Sequence, residues 1–295
     1  MAVENRTYIL YNSSAGNGNI RDEIKPLEVI YNNPSFIEIR NIRDYKVFFG
    51  GLEKDDSVVI CGGDGTLNRI VNEIADLNIK NDLWLYPLGN GNDFARDLGC
   101  DKDSDPIRIN DYIKNLPVVT FKNKKKYFLN GVGYGIDGFC CQEADKIKEK
   151  YKDKKKINYT LIAIKGLIYK YKPTDVKITA DGKDYEFKKV WLAPTMNGRF
   201  YGGGMMPTPN QQRLSEDKKL SLLVFHGSGK LKTLMIFPSI FEGKHVNKKK
   251  NVTIIEGKKI KVEYSTAKPM QIDGETVTNV KCYVACAEEG IKNAF

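Results

Sequence analysis

The sequence predicts a chain of two unlike parts, an α/β half built on a parallel sheet followed by a mostly antiparallel β half. Through about residue 120, short apolar runs alternate with segments of helical periodicity, the rhythm of consecutive βαβ units. From about residue 121, single apolar and polar residues alternate between Asp-Gly and Gly-Lys turns, the pattern of antiparallel strands. Charge divides at the same place: residues 1–120 carry a net −6 and the remainder +16, for a total of +10.

In the first half, "RTYILYN" reads as a strand, "GNIRDEIKPLEVIY" as a helix, "SFIEIR" as a strand and "DYKVFFGGL" as a short helix. "DSVVIC" and "LWLYPL" are strands flanking the helix "TLNRIVNEIADL", in which Leu67, Ile70, Val71, Ile74 and Leu77 recur at helical spacing. Three polar, glycine-rich loops, "NSSAGNG", "GGDGT" and "GNGNDF", follow strands. In an open α/β sheet ligands bind at the carboxyl ends of strands, so these loops mark a candidate pocket.

In the second half, strand runs are "VVTFKNKKKYFLNGVGYG", "DVKITADGKDYEFKKVWLAPTM", "KLSLLVFHGS", "NVTIIEGKKIKVEYS" and "MQIDGETVTNVKCYVACA". One helical insert, residues 140–172, interrupts them. Within it Leu161, Ile164, Ile168 and Tyr171 share one helical face, and Lys165, Lys170 and Lys172 flank it, after a lysine run from Lys146 to Lys156. Such a face either covers the β domain or docks on an anionic membrane surface, where each lysine contributes on the order of 1 kcal/mol.

Composition excludes several classes. A hydrophobic content of 41% with 11 prolines describes a globular chain. The start "MAVENRTYIL" has no signal-peptide core and no window matches a membrane span, so a cytoplasmic protein is expected, with the basic second half suggesting reversible contact with a membrane surface. Six cysteines form no CxxC pair and there are only two histidines, which argues against zinc. Acid–base work then falls to carboxylates, and the expected metal is oxygen-liganded magnesium. No nucleic-acid-binding motif is present, so no nucleic acid partner is expected; a homodimer is left open.

The "GGDGT" loop invites a chemical reading. Backbone N–H groups in a glycine-rich turn at a helix amino end form a nest for phosphate oxygens. Asp64 opposes an anion unless a cation or donor lies between, which points to a magnesium nucleotide; the alternative is a tight turn with Asp64 as a cap. The residues match neither a Walker loop nor a dinucleotide fingerprint. In "PLGNGNDFARDLG", Gly89 and Gly91 permit close backbone approach, and Asn92 or Asp93 caps the next helix.

Taken together, "YNSSAGNG", "GGDGTLNRIVNEI", "PLGNGNDFARDLG", "NGRFYGGGMMPTP" and "QIDGE" resemble, in that order, the lipid kinases related to bacterial soluble diacylglycerol kinase and sphingosine kinase. The resemblance implies a phosphofructokinase/NAD-kinase-like nucleotide-binding α/β domain at 1–120, completed by residues 288–295. It also implies an antiparallel β-sandwich lipid domain at 121–287, with ATP and lipid meeting between the two. By matching motifs, Asn12, a position near Asn41, Gly62, Gly63, Asp64, Gly65, Thr66, Leu67 and Asn68, then Asn90 and Asp93, surround ATP. Asp64 organises magnesium-ATP, Asp137 of "GYGIDG" joins the polar network around the ion, and Glu275 is the base that takes the proton of a lipid hydroxyl such as that of diacylglycerol. A structural Mg2+ is implied at Asp217 and the carbonyls of Leu214 and Lys219.

The chain departs from that pattern at Ser13 in place of proline, Asn90 in place of threonine and Arg69 in place of glutamate, and at Ser221 in place of the last aspartate of the second metal region. From the residues alone, Asp273-Gly274 is equally a hairpin turn with Glu275 a surface residue. An NAD-kinase-like enzyme and a catalytically silent lipid-binding regulator on the same fold remain as alternatives.

Overall fold

The computed structural model describes residues 5–13, 20–151, 162, 165, 166 and 170–287. The chain divides into two compact units, the first running to Leu116 and the second beginning at Pro117. The expected return of residues 288–295 to the first domain lies outside the described residues.

The first unit is a five-stranded sheet in the order β2-β1-β3-β4-β5, with β1 (Thr7–Tyr11), β2 (Ser35–Glu38), β3 (Ser57–Gly62), β4 (Asp82–Pro87) and β5 (Ile107–Arg108). The first four strands are mutually parallel, as the βαβ rhythm predicts. The short β5 runs antiparallel along the β4 edge, a departure from the all-parallel expectation. Ile9, Tyr11, Val59 and Cys61 pack against Ile20, Ile24 and Leu27. Leu10, Val58 and Ile60 are equally buried, so the central strands are covered on both faces and read as apolar runs rather than alternating ones.

Helices fall where periodicity places them, with two corrections. The segment expected as one helix over 18–31 is two, α1 (Ile20–Ile24) and α2 (Leu27–Ile30). Pro26 lies at the junction and has no N–H to carry an i→i−4 ladder through it. The strand expected over 35–40 ends at Glu38 and continues as a 3₁₀ turn, Ile39–Asn41, whose Arg40 N–H donates to the Glu38 carboxylate. Helix α3 (Tyr45–Gly50) is capped by Asp44, whose Oδ1 accepts from the N–H groups of Lys46 and Val47 at 2.7 and 3.2 Å. Helices α4 (Asp64–Ile74), α5 (Asp93–Asp97) and α6 (Asn110–Ile113) complete the unit.

The second unit is an antiparallel sheet of ten strands. β6 (Val118–Phe121), β7 (Lys124–Tyr127) and β8 (Gly131–Tyr134) precede helix α7 (Ile136–Tyr151). After it come β9 (Thr174–Ala180), β10 (Lys183–Val190), β11 (Thr195–Met196), β12 (Leu220–Phe225), helix α8 (Lys230–Ile236), β13 (Val252–Gly257), β14 (Lys259–Ile272) and β15 (Glu275–Cys286). The main path runs β13-β12-β11-β8-β14-β15-β6-β7, with β9 and β10 attached to β14.

Strand β14 organises this unit. The sequence divides it into two runs, yet it is one strand of 14 residues with register shifts between Glu263 and Lys268 and between Lys268 and Met270. Its first part pairs with β9 and its last part with β8. Bulges bend a strand and raise its twist, and residues from both parts, including Val262, Tyr264, Met270 and Ile272, share a single core. Asp181-Gly182 turns β9 into β10 with φ of +47° and +82°, as Asp-Gly in a hairpin requires. The Gly257-Lys258 turn makes no hairpin: β13 pairs with β12, and β14 leaves for the other side of the sheet.

The helical insert begins at Ile136 rather than at residue 140. Leu161, Ile164 and Ile168 lie outside the described residues. Tyr171 is buried beside Phe139 and Trp191, and exposed Lys170 pairs with Glu143 at 2.9 Å.

Candidate functional site

In the first unit the parallel strands bring the predicted loops to one edge. Asn12 follows β1, Asn41 closes the 3₁₀ turn after β2, residues 62–68 follow β3, and Asn90 and Asp93 follow β4. The Ser13 N–H donates to Glu38 Oε2 at 2.8 Å and Arg40 donates to Ser13 Oγ, tying the loop after β1 to the end of β2.

The glycines of the two principal loops serve close approach rather than unusual dihedral angles. Gly63 is extended, at φ −97° and ψ −171°. A Cβ added there would lie 2.7 Å from Gly89 Cα, and one on Gly89 would lie 2.4 Å from Gly63 Cα and 2.5 Å from Asn92 Oδ1. A Cβ on Gly62 would strike the Thr66 side chain at 2.7 Å. The two loops therefore touch backbone to backbone. Asn92, with φ of +47°, completes the second by accepting the Gly89 N–H at 2.8 Å.

Asp64 fastens the loops together. Its Oδ2 accepts the Asp93 N–H at 2.9 Å and its Oδ1 the Phe94 N–H at 2.8 Å, so it caps α5 from the neighbouring loop. An acid in this turn thus has a structural use of its own, as a cap that reaches from one loop to the helix leaving the other. By contrast the amino end of α4 has no side-chain cap among the described residues. Gly65, in its first turn, is exposed, with no atom within 4 Å of where a Cβ would stand. Uncapped N–H groups beside open space suit a phosphate. Leu67 and Asn68 are buried, at 0 and 2% exposure.

In the second unit Asp273-Gly274 is a hairpin turn, with φ of +44° and +90° and Ile272 opposite Glu275. The Asp273 carboxylate also accepts the N–H groups of Leu129, Asn130 and Gly131 at 2.5, 2.8 and 3.0 Å. Gln271 Oε1 accepts the Gly274 N–H at 2.6 Å. The turn is fixed from both sides, and it presents Glu275 half-exposed and ion-paired with Lys126. Sequence reasoning missed Lys126 because their pairing depends on the β6–β7 hairpin, with Lys126 on β7, lying beside β15.

Asp137 opens α7 and is buried. Among the described residues, its two carboxylate oxygens and the Tyr201 hydroxyl have no partner at hydrogen-bonding geometry. Burial pushes the carboxyl up to about 6, against the smaller opposing effects of the N–H groups at the helix start and of Gln271 and Tyr201.

The residues implied for a structural Mg2+ do not fit a cation. Asp217 pairs with Lys219 Nζ at 3.1 Å, which lowers its pKa, and Leu214 is an exposed side chain. The Lys219 carbonyl accepts Gln211 Nε2 at 2.9 Å, and Gln211 Oε1 accepts the Ser221 hydroxyl at 2.6 Å. The buried Gln211 amide thus places a donor on the oxygen a metal would need, and Ser221 completes that hydrogen bond. Among the described residues no three His, Cys, Asp or Glu side chains group as a metal site. Gln211 carried no sequence signal. Neither did Arg213, which donates to the Leu129 carbonyl at 2.5 Å and to Asn130 Oδ1 at 2.6 Å.

Comparison with known proteins agrees with this architecture. Residues 6–117 match the diacylglycerol kinase catalytic domain, and residues 130–292 match the YegS C-terminal NAD kinase beta sandwich-like domain. A diacylglycerol kinase of Bacillus subtilis is 25% identical over 230 residues, 76% of this chain and 72% of that one. A diacylglycerol kinase of Mycobacterium tuberculosis is 26% identical over 198 residues, 65% of this chain and 62% of that one. The crystal structure of a diacylglycerol kinase from Bacillus anthracis superposes with a TM-score of 0.61 at 20% identity, covering 96% of this chain and 94% of that one, and so shares the fold. With both halves matched in order along the chain, the protein belongs to the family of lipid kinases of the diacylglycerol kinase type.

Proposed function

We propose that the protein transfers the γ-phosphate of ATP to the hydroxyl of a lipid, diacylglycerol or one like it, at a membrane surface. The observation that carries this reading is the uncapped amino end of α4, held against the Gly89 loop by the Asp64 clamp. That end offers N–H donors to phosphate oxygens, and the clamp fixes their direction before any ligand arrives. Gly63 and Gly89 keep side chains out of the junction, and Asn12, Asn41, Thr66 and Asn90 lie at the same sheet edge as polar groups for the rest of the nucleotide.

Phosphoryl transfer to an alcohol needs positioning, charge neutralisation and one proton acceptor. Glu275 is the acceptor in this reading: it takes the hydroxyl proton as the oxygen attacks phosphorus and the bond to the ADP leaving group breaks. The fixed turn at Asp273-Gly274 holds it, and Lys126 keeps the carboxylate in one place until the substrate hydroxyl displaces the ammonium. Magnesium bound with the nucleotide supplies neutralisation of the phosphate charge. Asp64 would help hold that ion while it accepts the N–H groups of Asp93 and Phe94.

The deciding experiment is transfer of labelled γ-phosphate into a total lipid extract, with NAD as the competing acceptor. Label in a lipid supports the reading and its identity names the substrate; label in NAD, or in neither acceptor, overturns it.

A further inference from the structure

The segment 230–250 of the second unit has apolar side chains on two sides. Thr233, Ile236, Phe237 and Ile240 are buried, and Ile236, Phe237 and Ile240 pack with Trp191, Leu223 and Phe225. That packing accounts for the inward face of α8. Leu231 and Met235 are one helical turn apart, so they share the opposite face, and they are 73 and 67% exposed; Phe241, just beyond, is 38% exposed. Large apolar side chains standing in water singly are ordinary, but a run of them on one short segment marks a contact surface.

The charge around them is predominantly positive. Lys230, Lys232, Lys244, Lys248, Lys249 and Lys250 are all exposed, and Glu242 is the only acid in the segment, paired with Lys244 at 2.5 Å. Exposed apolar groups set among lysines are the pattern of a segment that lies in the headgroup layer, with apolar groups entering the acyl boundary and ammonium groups on phosphates. The lysines of the β6–β7 hairpin lack this combination. Lys122 donates to the Thr278 carbonyl and Lys126 is paired with Glu275, with no exposed large apolar residue beside them.

We propose that α8 and the segment after it, through Leu231, Met235 and Phe241 with Lys232 and Lys248 to Lys250, dock this protein on an anionic phospholipid bilayer. The proposal rests on the reading of a lipid substrate and gives the contact a place in the chain, separate from the helical insert at 140–172. Charge complementarity selects the occupant: a neutral bilayer or a second copy of this face would leave the lysines unneutralised.

The test uses the full chain without ATP, sedimented with vesicles of phosphatidylcholine alone or with about 30% phosphatidylglycerol, whose surface charge draws lysines. Anionic vesicles are expected to bind at least about tenfold more tightly than neutral ones, with most of the gain lost at about 0.5 M salt. Leu231→Glu with Met235→Glu, and separately Lys248→Gln, Lys249→Gln and Lys250→Gln together, each lower that binding by about tenfold or more. Both variants are expected to keep the wild-type Tm and their transfer to a short-chain lipid dispersed in detergent. Equal binding to both vesicle types overturns the proposal, as does wild-type binding by both variants. So does a solution dimer that the Leu231→Glu, Met235→Glu variant dissociates. Because docking is read without phosphate transfer, a chain that docks but transfers nothing overturns the kinase reading and upholds this one.

Discussion

Asp64 accepts the backbone N–H of Phe94 at 2.8 Å, so the carboxylate of one glycine-rich loop caps the helix that leaves the other. Replacing it with alanine leaves the N–H groups of Asp93 and Phe94 without that acceptor and lowers stability by about 1–3 kcal/mol. Asparagine restores one acceptor oxygen and is as good a capping residue, so Asp64→Asn recovers at least half of that loss. Transfer falls more than tenfold in both variants if the charge also serves magnesium-ATP. Urea denaturation beside phosphate-transfer rates separates the two roles.

Glu275→Gln keeps the shape of the turn and removes the proton acceptor. Transfer falls by about a hundredfold or more, in the range general-base removal costs. Stability changes by less than about 1 kcal/mol, because the lost pair with Lys126 is partly solvent-exposed. Nucleotide binding, followed by titration with a non-hydrolysable analogue, stays near wild type. Full residual transfer removes Glu275 as the base.

Asp273→Ala strikes the same turn from below. It strips the acceptor from three N–H groups and puts a residue poorly suited to φ of +44° in the first turn position. A loss of about 2–4 kcal/mol is expected by denaturant titration, with transfer reduced because Glu275 loses its seat. Asp273→Asn tolerates the left-handed conformation and recovers part of both.

Gln211 and Ser221 form a network that stands in for a cation. The Tm of the protein alone is therefore the same in EDTA and in millimolar magnesium. Gln211→Ala lowers stability by about 1–3 kcal/mol, leaving the Ser221 hydroxyl and the Lys219 carbonyl without that partner. A fall in Tm on chelation contradicts this account.

Asp137 gives a pH dependence with a definite sign. Its folded pKa, about 6, lies above its value of 3.8 when unperturbed, so between these the native state binds more protons than the unfolded one. Its contribution to stability is present below about pH 4 and is lost as pH rises through about 6. The surrounding groups Tyr134, Tyr171, Tyr201, Tyr264, Tyr283, Cys140 and Cys141 are pushed upward by burial and stay neutral across that window. Measured against Asp137→Asn, the wild-type protein loses up to about 3 kcal/mol between pH 4 and pH 7. Parallel pH profiles for the two proteins contradict the assignment.

Periodicity and turn chemistry made most of the fold legible. The strands after Tyr8, Val58 and Leu83 and the helix through Leu67, Ile70 and Ile74 follow from spacing that one element can satisfy by itself. Asp181-Gly182 and Asp273-Gly274 are where the sequence places them, because two consecutive residues of positive φ leave few other choices. Less local features escaped. The unity of β14 is hidden by its bulges, and the antiparallel β5 is two residues long. The break at Pro26 follows from a residue the sequence shows, since proline cannot donate the N–H that would carry the helix through it.

The sequence by itself determined the family, the division into two unlike halves and the strand ends at which loops gather, since these depend on order and period along the chain. Tertiary structure alone decided what the loop residues do. Gly63 and Gly89 are 26 positions apart, and only the parallel pairing of β3 with β4 brings them into contact. Asp64 reads in the sequence as an acid facing an anion, and only the arrival of the start of α5 sets two backbone N–H groups on its oxygens. A carboxylate's partners are set by which N–H groups or cations lie within about 3 Å of it, and that distance is fixed by the packing of elements remote in sequence.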